Sequence, residues 1–402
     1  MLSRITDRNI FVIYGTTLLL GAGYGVSISL SSLHLDARHF SKHDIGKLAS
    51  WFALGVVLLS LPMGALIRRF SARAVLITSL LGYAVCVTLF PRLLSYEAVA
   101  ASRLFDGAFS VGVWVSSETI LLSRAARGQK AYVTSLYAVS IGLGYVVGPL
   151  LARLLAAFAP VETAFAVAGL LSLSAALLAI ARLAPDVAAT HHRAADGAPS
   201  TVSARTLVWR IKTSCFGTFA YGYFQSSVVL FLPLFLIESK GIARDQTILI
   251  PAFFAAGMLT FSNVAGRASD RVGHLKVMRV LAVIGAAMTA SFVLLSHFSA
   301  MALAVFVAGA TLASISPVSL ALQGVVTEPE NYSRSNAIYN VFYAAGMLLG
   351  PYVSSLVFER GGGVGMLLHL AALWSAFALF GLVYAGDDPA ARRGPATVVV
   401  DA

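Results

Sequence analysis

Twelve apolar runs, each near the ~20 residues a helix needs to cross a bilayer, follow one another along this chain. They lie near 10–33, 45–67, 74–91, 97–121, 131–154, 161–183, 213–236, 247–268, 276–295, 300–326, 336–358 and 366–384. A membrane interior gives the backbone no water to bond with, so runs of this length must satisfy their N–H and C=O groups internally, as helices. Composition agrees: 58% of the 402 residues are apolar, 12% are charged and the mean hydropathy is +0.82, where a soluble domain carries about 25% charged residues. The expected fold is all-α and integral to a membrane, with twelve transmembrane helices.

The net charge of +11 invites a nucleic-acid reading, but no basic run is long and none is interleaved with aromatics. Basic residues instead sort by side. If the N-terminus lies inside, 20 of the 29 lysines and arginines fall in segments on that side, 8 on the other, and Arg103 within a helix. That excess orients a multi-pass protein with both termini and the central linker in the cytoplasm. Cys86 and Cys215 fall inside apolar runs without metal or redox spacing, so they read as small buried residues and imply no metal and no cofactor. The start, MLSRITDRN, has no A-x-A-like cleavage site after it and reads as the approach to a first spanning helix rather than a removed leader.

Between the sixth and seventh runs, Ala184 to Arg210 holds PDVAATHHRAADGAPSTVSAR, a composition that reads as an exposed linker. The chain then divides into a six-helix half (1–183), a cytoplasmic linker (184–210), a second six-helix half (211–386) and a cytoplasmic tail (387–402). The halves repeat at an offset of 202. Gly144-x-x-x-Gly148-Pro149 matches Gly346-x-x-x-Gly350-Pro351, Tyr137 matches Tyr339, Gly107 matches Gly309, and Gly64 and Arg69 match Gly266 and Arg271. Parallel halves around a midplane site are the plan of a secondary transporter.

With twelve spans, a central loop and these motifs, the chain resembles the major facilitator superfamily over nearly its whole length. That family's loop between the second and third helices of each half reads roughly G-x-x-x-D-R-x-G-R-R/K. Gly266, Asp270, Arg271 and Gly273 follow it in register, while the first half keeps Gly64, Arg69 and Arg73 but has Arg68 for the aspartate and Ser71 for the glycine. An aspartate at a helix end can accept N–H bonds from a neighbouring helix start, and such a cluster can latch one state and release it in another; an orientation anchor would need only the basic residues. Gly144, Gly148 and Pro149 resemble the antiporter motif of drug and metabolite exporters. Small-x-x-x-small spacing also lets helices touch closely, which suffices for Gly346, Gly350 and Pro351. The stretch from Arg103 to Pro149 is most similar to the YcaD-like permeases.

Charges within a span are expensive and face a cavity or a partner. In the fourth span, steps of 100° from Arg103 bring Ser110 and Trp114 within about 20° of it, and Asp106, Gly107, Ser117 and Glu118 within about 60°. Two roles compete for this face: Asp106 or Glu118 exchanges a proton sensed by Arg103, or Arg103 and Asp106 form a structural pair and Glu118 reaches the interface. His34 and Asp36 read as a solvated pair at the outer end of the first span. Polar and aromatic positions suggest a substrate cavity: Tyr14, Ser29, Trp114, Tyr221, Gln225, Gln323, Tyr339, Asn340 and Tyr343, with Tyr14, Gly21, Gly25, Ser29 and Ser32 forming one face of the first span.

The resemblance implies a proton-coupled secondary transporter in a bacterial inner (cytoplasmic) membrane, exporting a small organic molecule by alternating access. Its partners would be a small-molecule substrate, protons and the lipid bilayer, and the chain would work as a monomer. An uptake symporter for a sugar, organic acid or other nutrient uses the same fold. A transport-inactive receptor or scaffold would usually carry a soluble signalling domain. No H-E-x-x-H, G-x-S-x-G or Cys/His cluster suggests an enzyme, and no G-x-x-x-x-G-K-[ST] suggests an ATP-driven pump.

Overall fold

A computed structural model describes residues 7–125, 130–185, 202–328 and 331–389. The described chain is helical, with α1 Arg8–Ala37, α2 Lys42–Phe70, α3 Ala72–Leu89, α4 Tyr96–Arg124, α5 Lys130–Phe158, α6 Val161–Arg182, α7 Ala204–Arg210, α8 Lys212–Lys240, α9 Arg244–Thr247, α10 Ile250–Val272, α11 His274–Ser291, α12 Phe298–Val326 and α13 Tyr332–Val383. Their termini carry the expected stop and start signals. Ser41, Ser71 and Ser95 each accept an N–H bond from the first turn of α2, α3 and α4, satisfying donors that a helix start leaves open.

Ten of these helices are long and apolar enough to cross a membrane, and α2, bent by 59° across its Pro62 break, makes an eleventh. The twelfth is hidden in α13. Its 52 residues would stretch about 78 Å as one helix, far beyond a ~30 Å hydrocarbon core. At Gly362 the backbone turns to φ 65° and ψ −177°, a left-handed, non-helical conformation that glycine adopts without a Cβ clash. The limbs 332–361 and 363–383 are therefore the eleventh and twelfth spans.

The repeat reaches the helix bounds. Adding 202 to the bounds of α3 (72–89) and α4 (96–124) gives those of α11 (274–291) and α12 (298–326), and α2 maps onto α9 plus α10. Part of the expected linker is ordered, since α7 falls within it; residues 186–201 of it, and 390–402 of the tail, lie outside the described residues. The start of the tail is held too, because Asp387 pairs with Lys212 at 2.6 Å and Asp388 accepts the Leu275 N–H at 2.8 Å.

Within each half the first and fifth spans cross at their glycines. A Cβ on Gly144 would stand 2.6 Å from the Ala22 nitrogen, and one on Gly25 would stand 2.9 Å from both Gly148 Cα and Pro149 Cδ. In the second half a Cβ on Gly346 would lie 2.8 Å from the Tyr223 nitrogen, and one on Gly350 2.5 Å from the Tyr223 carbonyl. Only glycine lets the backbones approach this closely. Both Gly-x-x-x-Gly-Pro motifs are therefore helix-crossing devices, whatever else they do.

Candidate functional site

The two halves face each other across a cavity of about 200 Å³. The first half lines it with Tyr24, Ser27, Ile28 and Ser31 of α1, Ala49 and Phe52 of α2, Arg103, Asp106 and Trp114 of α4, and Tyr145 of α5. The second contributes Gln225, Ser226, Val229 and Leu230 of α8, and Tyr343 and Met347 of α13. Of the substrate-cavity residues expected from sequence, Trp114, Gln225 and Tyr343 are brought together there. Tyr221 stacks behind Tyr343, ring centroids 6.0 Å apart.

The others lie elsewhere. Tyr14 ties α1 to α5 through the Val133 carbonyl at 2.9 Å, and Ser29 donates to the Gly25 carbonyl of its own helix at 2.8 Å. The stripe through Gly21, Gly25 and Ser29 is the crossing face of α1, not its cavity face. Tyr339 binds Ser319 and the Ser316 carbonyl of α12 at 2.8 and 2.9 Å. Asn340 donates to Asn336 O at 3.0 Å, and Gln323 is buried on α12 outside the lining. Sequence reading missed Tyr24, Ser27 and Ser31, although their i, i+3, i+7 spacing marks one helix face. It also missed Phe52, over whose ring the Arg103 guanidinium sits at 4.7 Å.

Arg103 and Asp106 form an ion pair one turn apart, facing the cavity. Asp106 is 7% exposed. Its second oxygen accepts from Ser110 at 3.4 Å, and Ser110 accepts from Tyr24 at 2.5 Å. Every charge-bearing group here thus has a partner, as burial in low dielectric demands. Glu118, further along α4, is exposed and outside the cavity lining.

Polar contacts between the halves gather at the end of the bundle away from the termini. Lys42 of α2 bridges Asp36 of α1 and, at 2.5 Å, Glu238 of α8. Arg153 of α5 meets Asp245 of α9 at 3.1 Å, Arg244 donates to the Leu33 carbonyl at 2.7 Å, and the His43 N–H donates to Glu359 at 2.8 Å. Asp36 is thus a member of an inter-half bridge rather than half of a solvated pair with His34, which is buried against Phe90 and Phe165. At the termini end, the described bonds of Arg73 to the Ile180 carbonyl and Arg124 to Asp7 stay within one half.

The loop motifs sit at that end. Asp270 is 73% exposed and lies 3.5 Å from His274, the first residue of α11, across the turn at Gly273 (φ 101°). The N–H of the α11 start that a latch aspartate would take is instead bound by Asp388. Gly266 has nothing within 4 Å of an added Cβ, Gly64 has only the Arg68 guanidinium at 3.5 Å, and Arg69 lies over Phe70 at 5.2 Å. Arg271 closes the last turn of α10.

The family model described as Major Facilitator Superfamily matches residues 12–213 and 214–399, nearly the whole chain in two halves. Relatives include the uncharacterized MFS-type transporter YcaD of Shigella flexneri, 23% identical over 387 residues, 95% of this chain and 97% of that one. YfkF of Bacillus subtilis, also described as an uncharacterized MFS-type transporter, is 22% identical and covers 92% and 94%. Among solved structures, a bacterial homolog of the human lysosomal transporter Spinster, in an inward-facing and occupied conformation, superposes with a TM-score of 0.76 at 12% identity, covering 96% and 98%. The nucleoside transporter NupG gives 0.73 at 15% identity, covering 94% and 98%. Two six-helix halves closing on one central cavity, in a chain that this family model spans from end to end, are the body of a carrier rather than an enzyme: the chain is a multi-pass secondary transporter of the Major Facilitator Superfamily.

Proposed function

We propose that this transporter is a proton-coupled exporter of a small organic solute, with both termini and the linker in the cytoplasm and Asp106 as the coupling acid. The observation that carries the reading is the Arg103–Asp106 pair, set in the wall of the cavity between the halves. A charge inside a span costs a few kcal/mol by insertion scales and is kept where it serves a pathway or a relay. Asp106 has a balance that access can tip, since burial disfavours its charge and Arg103 favours it. Among the described residues no cation pairs with Glu118, which stays a weaker candidate.

The cavity suits its cargo. At about 200 Å³ it falls below the ~300–1,000 Å³ of drug-sized pockets, and rings and hydroxyls dominate its wall, so the solute is metabolite-sized and largely apolar. In this orientation the Lys42 and Arg153 bridges seal the outer side, and the chain stands inward-facing. Asp270 would then engage only when the halves close at the cytoplasmic end. Export rests on the α5 motif Gly144, Gly148 and Pro149.

Coupling is testable in proteoliposomes holding a trapped pH dye, challenged with a panel of small aromatic alcohols and amines. Wild-type protein is expected to move protons against at least one solute. Asp106→Asn should abolish that proton movement while sparing solute exchange, and Arg103→Ala should lose both, because it strands a buried carboxylate at a cost of about 3–5 kcal/mol. Proton movement retained in Asp106→Asn but lost in Glu118→Gln would transfer the role to Glu118. Orientation is checked separately: a cysteine introduced by Ser203→Cys should react with an impermeant thiol reagent only in inverted vesicles, and labelling in intact cells would reverse the assignment.

A further inference from the structure

Besides facing the cavity itself, Asp106 is joined to the cavity-lining Tyr24 by a line of hydroxyls. Tyr24 lines the cavity and donates its phenolic O–H to Ser110 at 2.5 Å; Ser110 donates to Asp106 Oδ1 at 3.4 Å. Arg103 holds the other oxygen, Oδ2. Ser110 is 0% exposed and Tyr24 3%, so bulk water does not interrupt the line. Each hydroxyl has one proton, and the line therefore has a direction. With Asp106 charged and able only to accept, Ser110 donates to it and Tyr24 to Ser110, so the Tyr24 proton points inward and its oxygen can offer the cavity only lone pairs.

A proton added to Asp106 reverses the line. It sits on Oδ1, because Oδ2 faces the guanidinium, and the new O–H donates to Ser110. Ser110 then swings its own proton toward the Tyr24 oxygen, and Tyr24 swings its O–H into the cavity. One proton enters, each hydroxyl keeps its own, and no heavy-atom bond changes. The other titratable groups facing Asp106 are Tyr83 and Cys86 from α3 and Tyr145 from α5, while α2 presents the Phe52 ring to Arg103.

We propose that Tyr24 is a polarity switch that makes the cavity take a small aromatic solute bearing an O–H or N–H donor while Asp106 is charged, and refuse it once Asp106 is protonated. The inference rests on the coupling role proposed for Asp106. Rings of Tyr24, Trp114, Tyr145 and Tyr343 supply faces for a flat aromatic body. A solute donor meeting the Tyr24 oxygen is paired; the same donor meeting the Tyr24 O–H leaves one of the two unpaired, a loss of roughly tenfold or more in affinity. Solute and proton then exclude each other without competing for the same atom, which is the requirement for exchange.

The test uses the purified full chain and matched pairs in which a methyl replaces the donor hydrogen: phenol and anisole, aniline and N,N-dimethylaniline, indole and N-methylindole. Dissociation constants come from equilibrium dialysis at alkaline and acidic pH. At alkaline pH the donor member is expected to bind about tenfold tighter than its methylated partner, and the ratio should fall toward one at acidic pH and in Asp106→Asn. Tyr24→Phe should bring the ratio near one at both pH values, and Ser110→Ala, which cuts the line at its middle, should do the same. A ratio that ignores pH in the wild type, or no binding by any member, overturns the proposal. A pH-dependent ratio that survives in Asp106→Asn sinks the coupling reading itself. A ratio lost in Asp106→Asn yet intact in Tyr24→Phe and Ser110→Ala sinks the switch alone.

Discussion

Gly148→Leu is expected to leave almost no folded transporter. The added Cβ would stand 2.5 Å from the Gly25 Cα and 2.7 Å from the Val26 nitrogen, both backbone atoms of α1. No rotamer relieves a clash at the Cβ, so α1 and α5 must separate along the crossing that holds the first half together. Overpacking in a dense core costs about 1–3 kcal/mol even where side chains can give way, and here the obstacle is backbone on both sides. In detergent extracts, the monodisperse peak on size-exclusion chromatography should fall at least tenfold relative to wild type, as a rough expectation for a loss of that size. Gly266→Ala is the contrast. Nothing lies within 4 Å of its Cβ and it sits inside α10, so the peak should be unchanged or slightly larger, since alanine is the better helix former by about 1 kcal/mol. A normal peak for Gly148→Leu would mean that α1 and α5 do not touch as described.

The contrast bears on what the sequence could reveal. Twelve spans, the pseudo-repeat and the α4 charges were legible because each leaves a one-dimensional trace: run length, a fixed offset, or a charge where lipid forbids one. The bounds of α11 and α12 follow those of α3 and α4 at the same offset that relates the glycine motifs. The faces of α1 were not legible in the same way. Small and polar residues mark both a close crossing and a cavity wall, so the Gly21–Gly25–Ser29 stripe looked like a wall. The glycine spacing on α5 held the answer, because two small-x-x-x-small helices are made for each other and leave Tyr24, Ser27 and Ser31 to face inward. Asp388 shows a different limit. It takes the α11 N–H from 113 residues away, and no local pattern announces a partner at that distance. The Lys42 bridge is of the same kind, joining α2 to α1 and to a glutamate in the other half.

Lys42→Ala is expected to open the cavity from the end away from the termini. Lys42 is 15% exposed and neutralises two carboxylates, Asp36 and Glu238, which come from opposite halves. Removing it does more than delete two attractions, because it leaves two negative charges facing each other across the seam. The carboxylates are 38% and 42% exposed, so solvent weakens the term well below the ~3–5 kcal/mol of a fully buried pair. A shift of about 1–2 kcal/mol remains, roughly tenfold in the balance between the two faces of the cavity. The measurement places a single cysteine in the cavity by Ser31→Cys, with Cys86 and Cys215 replaced by serine, and follows its labelling by an impermeant thiol reagent in intact cells. Lys42→Ala should raise the labelling rate about tenfold. Asp36→Asn with Glu238→Gln in the Lys42→Ala background should return part of that increase, since neutral amides no longer repel. Labelling that Lys42→Ala leaves unchanged would mean that the seal belongs to the Arg153–Asp245 and Arg244–Leu33 contacts instead, and that Lys42 merely neutralises the carboxylates beside it.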